Sequence, residues 1–182
     1  MVSIDNDAFS SGQIGSKIWL CEELERLNWT SDYTYIYGGW YGITGFLLRS
    51  RGNFKVNNIR SVDMDPECEL VADTINNLWV WQHWQFKAIT ADCCLIRPPV
   101  VDLIINTSTE HFHSRDWYDN IPVGTRVVLQ GNDMPHDDHH VHSTSAEDFA
   151  KDYNLTTVDF IGSKDFVYPK WSFTRFMLIG TK

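Results

Sequence analysis

The chain has 182 residues, of which 43% are hydrophobic and 21% charged, a balance that fits one soluble domain and excludes a disordered or fibrous chain. Lys and Arg number 15 against 24 Asp and Glu, for a formal charge of −9. A surface of that sign repels phosphate backbones and anionic lipid, and the densest basic stretch, Arg49, Arg51, Lys55 and Arg60, is interrupted by Gly and Asn, so no nucleic-acid or membrane partner is expected.

The opening MVSIDNDAFS lacks the basic and apolar regions of a signal peptide, and no 18-residue apolar run offers a membrane span. Cysteines at 21, 68, 93 and 94 show no ladder spacing and read as free thiols, so a cytoplasmic location is expected. Gly15–Leu27 then places Leu20, Leu24 and Leu27 on one stripe, an amphipathic helix ahead of the first strand. Tyr33–Tyr37 is aromatic and β-branched, stops at Gly38 and Gly39, and leads into a helix over Ile43–Arg51.

Asn58–Asp63 is the second strand. Asp65 and Pro66 open a helix running to about Asn77, since Asp accepts orphan amides and Pro tolerates the first helical position. Trp79, Trp81 and Trp84 follow; hydrophobic packing between helix and sheet is their ordinary role, and an aromatic cage is the alternative. Phe86–Thr90 is a third strand. Val101–Asn106 is a fourth, so continuously apolar that it belongs in a parallel sheet covered on both faces. Thr125–Gln130, Thr156–Ile161 and Phe173–Thr181 complete seven strands, the last pair antiparallel because Gly162–Ser172 is too short for a crossover helix. The pattern predicts a single α/β domain over 1–182, a doubly wound, mostly parallel seven-stranded sheet with an antiparallel last strand in a three-layer sandwich.

In such a sheet ligands lie at the carboxyl ends of the strands. Gly38, Gly39 and Gly42 in YGGWYG permit close approach to a ligand, or simply a tight turn; Trp40 fills space that a diphosphate needs and suits an adenine, a sulfonium or an aromatic group. Asp63 stands where an acid accepts both hydroxyls of a ribose, or caps a helix, with Met64 beside it as an adenine cover or as filler. Asp92 suits an exocyclic amine while Cys93 offers a backbone N–H; ordinary turn chemistry competes there.

With these stretches in view, the chain resembles the class I S-adenosylmethionine-dependent methyltransferases, a Rossmann-like family, through YGGWYG, VDMDPE, ADCC, DLIINTS and the closing FTRFMLIG, over roughly Gly15 to Gly180. The resemblance implies S-adenosyl-L-methionine as cofactor. Gly38, Gly39, Trp40 and Gly42 would lie against its methionine and sugar, Asp63 and Met64 at ribose and adenine, Asp92 and Cys93 at the adenine, and Asn106 toward the methyl group. Two positions depart from the family pattern: Ile36 replaces an acid, and Trp40 a central glycine.

The loop NTSTEHFHSRDWY supplies Glu110 and His111 as the expected acid–base or substrate-orienting pair, although Ser108 to Glu110 also reads as a helix start. His136, Asp137, Asp138, His139, His140 and His142 carry imidazoles and carboxylates that suit zinc, iron or manganese, but they share no regular element and Pro135 breaks the chain ahead of them, so a solvated lid without metal is expected, with a metal site as the alternative. The expected function is methyl transfer to a small molecule. A noncatalytic nucleotide- or cofactor-binding protein is the alternative, as is a Rossmann-type oxidoreductase, whose usual glycine spacing YGGWYG does not provide.

Overall fold

The computed structural model describes residues 4–169 and 171–182. Strands β1 (Thr30–Tyr37), β2 (Lys55–Asp63), β3 (Phe86–Thr90), β4 (Leu103–Asn106), β5 (Arg126–Asn132), β6 (Thr157–Val167) and β7 (Ser172–Thr181) form one sheet in the order β3-β2-β1-β4-β5-β7-β6. The first five pair in parallel, and β7 runs antiparallel to both β5 and β6. The doubly wound sheet read from the sequence is therefore present, with the reversed strand inserted between β5 and β6.

Helices cover both faces. On one, Leu20 and Leu24 of α1 (Ser11–Leu27), Leu48 of α2 (Ile43–Arg51) and Ala72 of α3 (Pro66–Ile75) join Ile36, Ile59, Phe86, Leu103 and Ile105 in a buried cluster. The opposite face gathers Tyr37, Val62, Ile104 and Leu129 with Trp117 and Phe149, which two short helices late in the chain supply. Successive residues of β4 thus point into different cores, which is why Leu103, Ile104 and Ile105 are apolar without alternation. Burying each of these three side chains stabilises by roughly 1.5–3 kcal/mol.

Local chemistry sets the boundaries. The Ser10 hydroxyl accepts the Gln13 amide at 3.3 Å, so α1 starts at Ser11, ahead of the Gly15 expected from the apolar stripe. Asp65 caps α3, accepting the Glu67 amide at 2.9 Å, with Pro66 in the first turn. That helix stops at Ile75 because the buried Asn76 turns its side-chain amide onto the carbonyls of Gly42 (3.2 Å) and Ala72 (2.9 Å), and a separate short α4 (Asn77–Trp81) follows. Further along come α5 (Asp116–Asp119) and α6 (Ala146–Lys151).

Two expectations need correction. Of the three tryptophans, Trp79 packs against the core and lies edge-on to Phe46. Trp81 and Trp84 remain 85% and 63% exposed, because a five-residue helix offers the sheet one narrow face and left-handed His83 and Trp84 turn the chain away into β3. The sixth strand also continues past Ile161 to Val167. Its Gly, Lys and Asp have weak strand preference, but backbone pairing with β7 through Val167↔Ser172 carries it onward as an edge strand. Among the described residues no helix is long and apolar enough to cross a membrane.

Candidate active site

The chain order reverses at β1, which has β2 on one side and β4 on the other, so the crossovers diverge there, and it is outside the carboxyl ends at such a reversal that doubly wound sheets take their ligands. Tyr37 and Asn106 stand side by side there as the last register pair of β1 and β4. Gly38 leaves β1 with φ +60°; a Cβ on it would lie 2.7 Å from the Ser108 hydroxyl, while one on Gly39 would lie 2.0 Å from that of Ser61. Both glycines therefore let the β1 turn pass close to β4 and β2.

Trp40 takes the left-handed conformation at φ +45°, which costs a non-glycine residue roughly 1–2 kcal/mol. Asp63 offsets this: its Oδ2 accepts the Trp40 amide at 2.8 Å while Oδ1 accepts that of Asp65 at 3.1 Å. The indole tilts against Tyr41, with ring centroids 5.2 Å apart, and packs into a small cluster with Ile43, Cys68 and Val71. Gly42 (φ +71°) then caps α2 without a side-chain hydrogen bond.

Asp63 and Asp92 sit on the same edge. The Ala91 amide donates to the Asp63 carbonyl at 2.9 Å, continuing the β2–β3 ladder, and the exposed Asp92 turns its Oδ1 to the Cys94 amide at 2.8 Å. Cys93 between them is buried. Burial pushes its thiol up to about 12, a hydrogen bond from the Gly38 backbone opposes the shift, and the charges of Asp63 and Asp92 add to it. Met64 projects from this rim, 76% exposed.

At the end of β4, Asn106 is fully buried; its Oδ1 accepts the Ser108 amide at 2.9 Å and its Nδ2 has no partner. One 3-10 turn later Glu110 points inward, 3% exposed, where Oε1 accepts hydrogen bonds from Arg175 of β7 at 3.0 Å and from Asn132 of β5. Its Oε2 has no partner among the described residues. His111 beside it is exposed. The loop after β5 closes over this point, His140 donating its amide to the Glu110 carbonyl at 2.7 Å.

The lid reading of residues 136–142 fits His136, His140 and His142, which are exposed, but not His139. That imidazole is buried, contacts the Met134 carbonyl through Nδ1 at 2.8 Å, and is held below the ordinary histidine value chiefly by burial. Its ring lies 4.8 Å from that of His111.

Three residues of this region escaped the sequence reading. Arg175 and Asn132 lie on late strands whose polar positions resemble ordinary solvent-facing ones. Lys17 had a faint signal, since it precedes Leu20 and Leu24 on the apolar stripe of α1. It is buried, donates to the Gln13 side chain at 2.6 Å, and has its pKa lowered to about 7; burial is the main cause, Arg175 acts in the same direction, and Glu110 and Asp7 oppose it.

No family model matches the sequence, and no curated protein matches it. Solved structures do. The N-methyltransferase NodS of Bradyrhizobium japonicum, in complex with S-adenosyl-L-homocysteine, superimposes with a TM-score of 0.69 at 10% identity, covering 94% of this chain and 88% of that one. The fold is that of the Rossmann-like class I methyltransferases. Magnesium protoporphyrin IX methyltransferase of Synechocystis with bound S-adenosylmethionine gives 0.66 at 11% identity, covering 93% and 80%. Geranyl diphosphate C-methyltransferase of Streptomyces coelicolor gives 0.63 at 11%, covering 94% and 82%. At these identities the likeness is one of fold.

Proposed function

We propose that the protein, as one domain over 1–182, is an S-adenosylmethionine-dependent methyltransferase acting on a small molecule. The observation that carries this reading is that Asp63 binds the amide of the Gly38–Gly42 turn while its carbonyl pairs with Ala91, so that the turn, Asp63 and Asp92 share one carboxyl edge of the sheet, in a fold shared with methyltransferases. The unpartnered Asn106 Nδ2 at the same edge fits a polar ligand. The bound cofactor supplies an electrophilic methyl group on a sulfonium.

In this reading Gly38, Gly39, Trp40 and Gly42 follow the methionine and sugar portions, and the Asp63 carboxylate accepts the ribose hydroxyls with the lone pairs left over from Trp40 and Asp65. Met64 covers an adenine face, Asp92 accepts the exocyclic amine, and Cys93 offers its backbone amide. Asn106 lies at the methyl end, where Glu110 and His111 orient the acceptor. Attack, carbon and leaving sulfur must be in line, so alignment by these rigid strand ends carries most of the acceleration.

A formal charge of −9 supports a small acceptor over a nucleic acid. Four unpaired cysteines fit a cytoplasmic setting. Calorimetry with S-adenosylmethionine and S-adenosylhomocysteine tests the reading: saturable binding of both, weakened by Asp63→Ala, is expected, and no heat from either at about 1 mM, a free energy of only about −4 kcal/mol, defeats it.

A further inference from the structure

We propose that Glu110, His111 and His139 form a binding site for one divalent first-row transition-metal ion at the acceptor end of this edge of the sheet. One donor atom from each of the three lies within 4.8 Å of the other two. Donors that share an ion through bonds of about 2.1 Å stand roughly 3–4 Å apart, and the exposed His111 is the ligand with room to move inward.

Two details point to a ligand independently of the clustering. The first is Glu110 Oε2: a buried carboxylate oxygen without a partner is costly, whereas its twin Oε1 is engaged by Arg175 and Asn132. A carboxylate held on one oxygen by protein donors and open on the other is how a ligating carboxylate is oriented. The second is His139. Its Nδ1 faces the Met134 carbonyl at 2.8 Å, which fixes the proton on Nδ1 and leaves Nε2 with its lone pair. The loop bearing it is tied down by the His140 amide on the Glu110 carbonyl, so two of the three ligands are preset by backbone contacts.

Two imidazoles and one carboxylate favour manganese, iron, cobalt or zinc over magnesium or calcium, which prefer all-oxygen shells. Three protein ligands also leave coordination positions open. Resting on the methyl-transfer reading, the ion would take a hydroxyl-bearing acceptor there. Coordination lowers the pKa of the hydroxyl, its proton leaves to water, and the oxygen lone pair forms the new bond to the methyl carbon as the carbon–sulfur bond breaks and its electrons return to sulfur. The products are the methyl ether, S-adenosylhomocysteine and one proton. No protein base is then required.

The test uses full-length protein without a polyhistidine tag, stripped with chelator and titrated with Co2+, followed by visible absorption and calorimetry. One equivalent is expected to bind, with d–d bands that vanish in His111→Ala and His139→Ala and persist in His113→Ala and His136→Ala. His111 is exposed, so its variant keeps the fold, which a melting curve verifies. No binding at about 1 mM Co2+, or binding that survives His111→Ala but is lost in His136→Ala, overturns the site. Calorimetry with S-adenosylhomocysteine separates the two proposals: cobalt bound without the nucleoside leaves the metal site standing and removes methyl transfer, and the reverse result removes only the metal.

Discussion

The Asp63 carboxylate accepts the backbone amide of Trp40 at 2.8 Å, so the end of β2 holds in place the left-handed turn that follows β1. A charge-assisted bond of this kind contributes about 1.5–3 kcal/mol, comparable to the cost of the left-handed tryptophan it restrains. Asp63→Ala is therefore expected to lower stability by about 2 kcal/mol and to weaken S-adenosylhomocysteine binding, whereas Asp63→Asn, which keeps one acceptor, should lose less of both. Urea denaturation and calorimetry on the same samples measure the two effects.

Gly39 and Ser61 form a second coupled pair across β1 and β2. Gly39→Ala places a methyl 2.0 Å from Ser61 Oγ and is expected to destabilise by roughly 1–3 kcal/mol through overpacking. Ser61 Oγ is itself buried without a partner, so Ser61→Ala alone should be close to neutral, and the double variant should recover most of the loss. Equal losses in the single Gly39 variant and the double variant would mean that the clash lies elsewhere.

The Arg175–Glu110 pair is 5% and 3% exposed at its side chains. Arg175→Met leaves a buried carboxylate without its counter-charge, and a loss of about 3–5 kcal/mol is expected. Adding Glu110→Gln removes the stranded charge and should restore part of it. Chemical denaturation followed by circular dichroism reads both.

Lys17 makes stability depend on pH. Its pKa is about 7 in the folded chain, against 10.5 ordinarily. Between those values the unfolded state binds more protons than the folded one, so this group makes stability rise with pH from about 7 to about 10.5, by up to 1.36 kcal/mol per unit. Below pH 7 the penalty of a buried ammonium is present in full. Lys17→Met is expected to flatten that slope and to raise the melting temperature at pH 7, measured by thermal unfolding across the pH range.

Hydrophobic period and turn chemistry were enough to read the sheet. β3 falls on Phe86–Thr90 and α2 on Ile43–Arg51 as expected, because a strand or helix with a buried face must repeat its apolar residues at its own period. The same logic placed Gly38, Asp63, Asp92 and Asn106 at strand ends. Where pairing rather than side-chain pattern decides, as in β6 beyond Ile161, the sequence was silent, and the tryptophans show that an apolar residue need not find a face to cover.

What the amino-acid order could not convey is the meeting of Glu110 and His111 with His139, or the charge of Arg175 acting on the buried Lys17. Those relationships join residues far apart in the chain, carried on the turn after β4, the loop after β5, β7 and α1. The sequence alone determined the seven strands, the helices α1 to α3 and the carboxyl edge on which Gly38, Asp63, Asp92 and Asn106 fall, because burial imposes a regular repeat on every such element. Only the tertiary structure decided which polar side chains share that edge, because their proximity depends on how the strands are ordered and on a loop folded back over them.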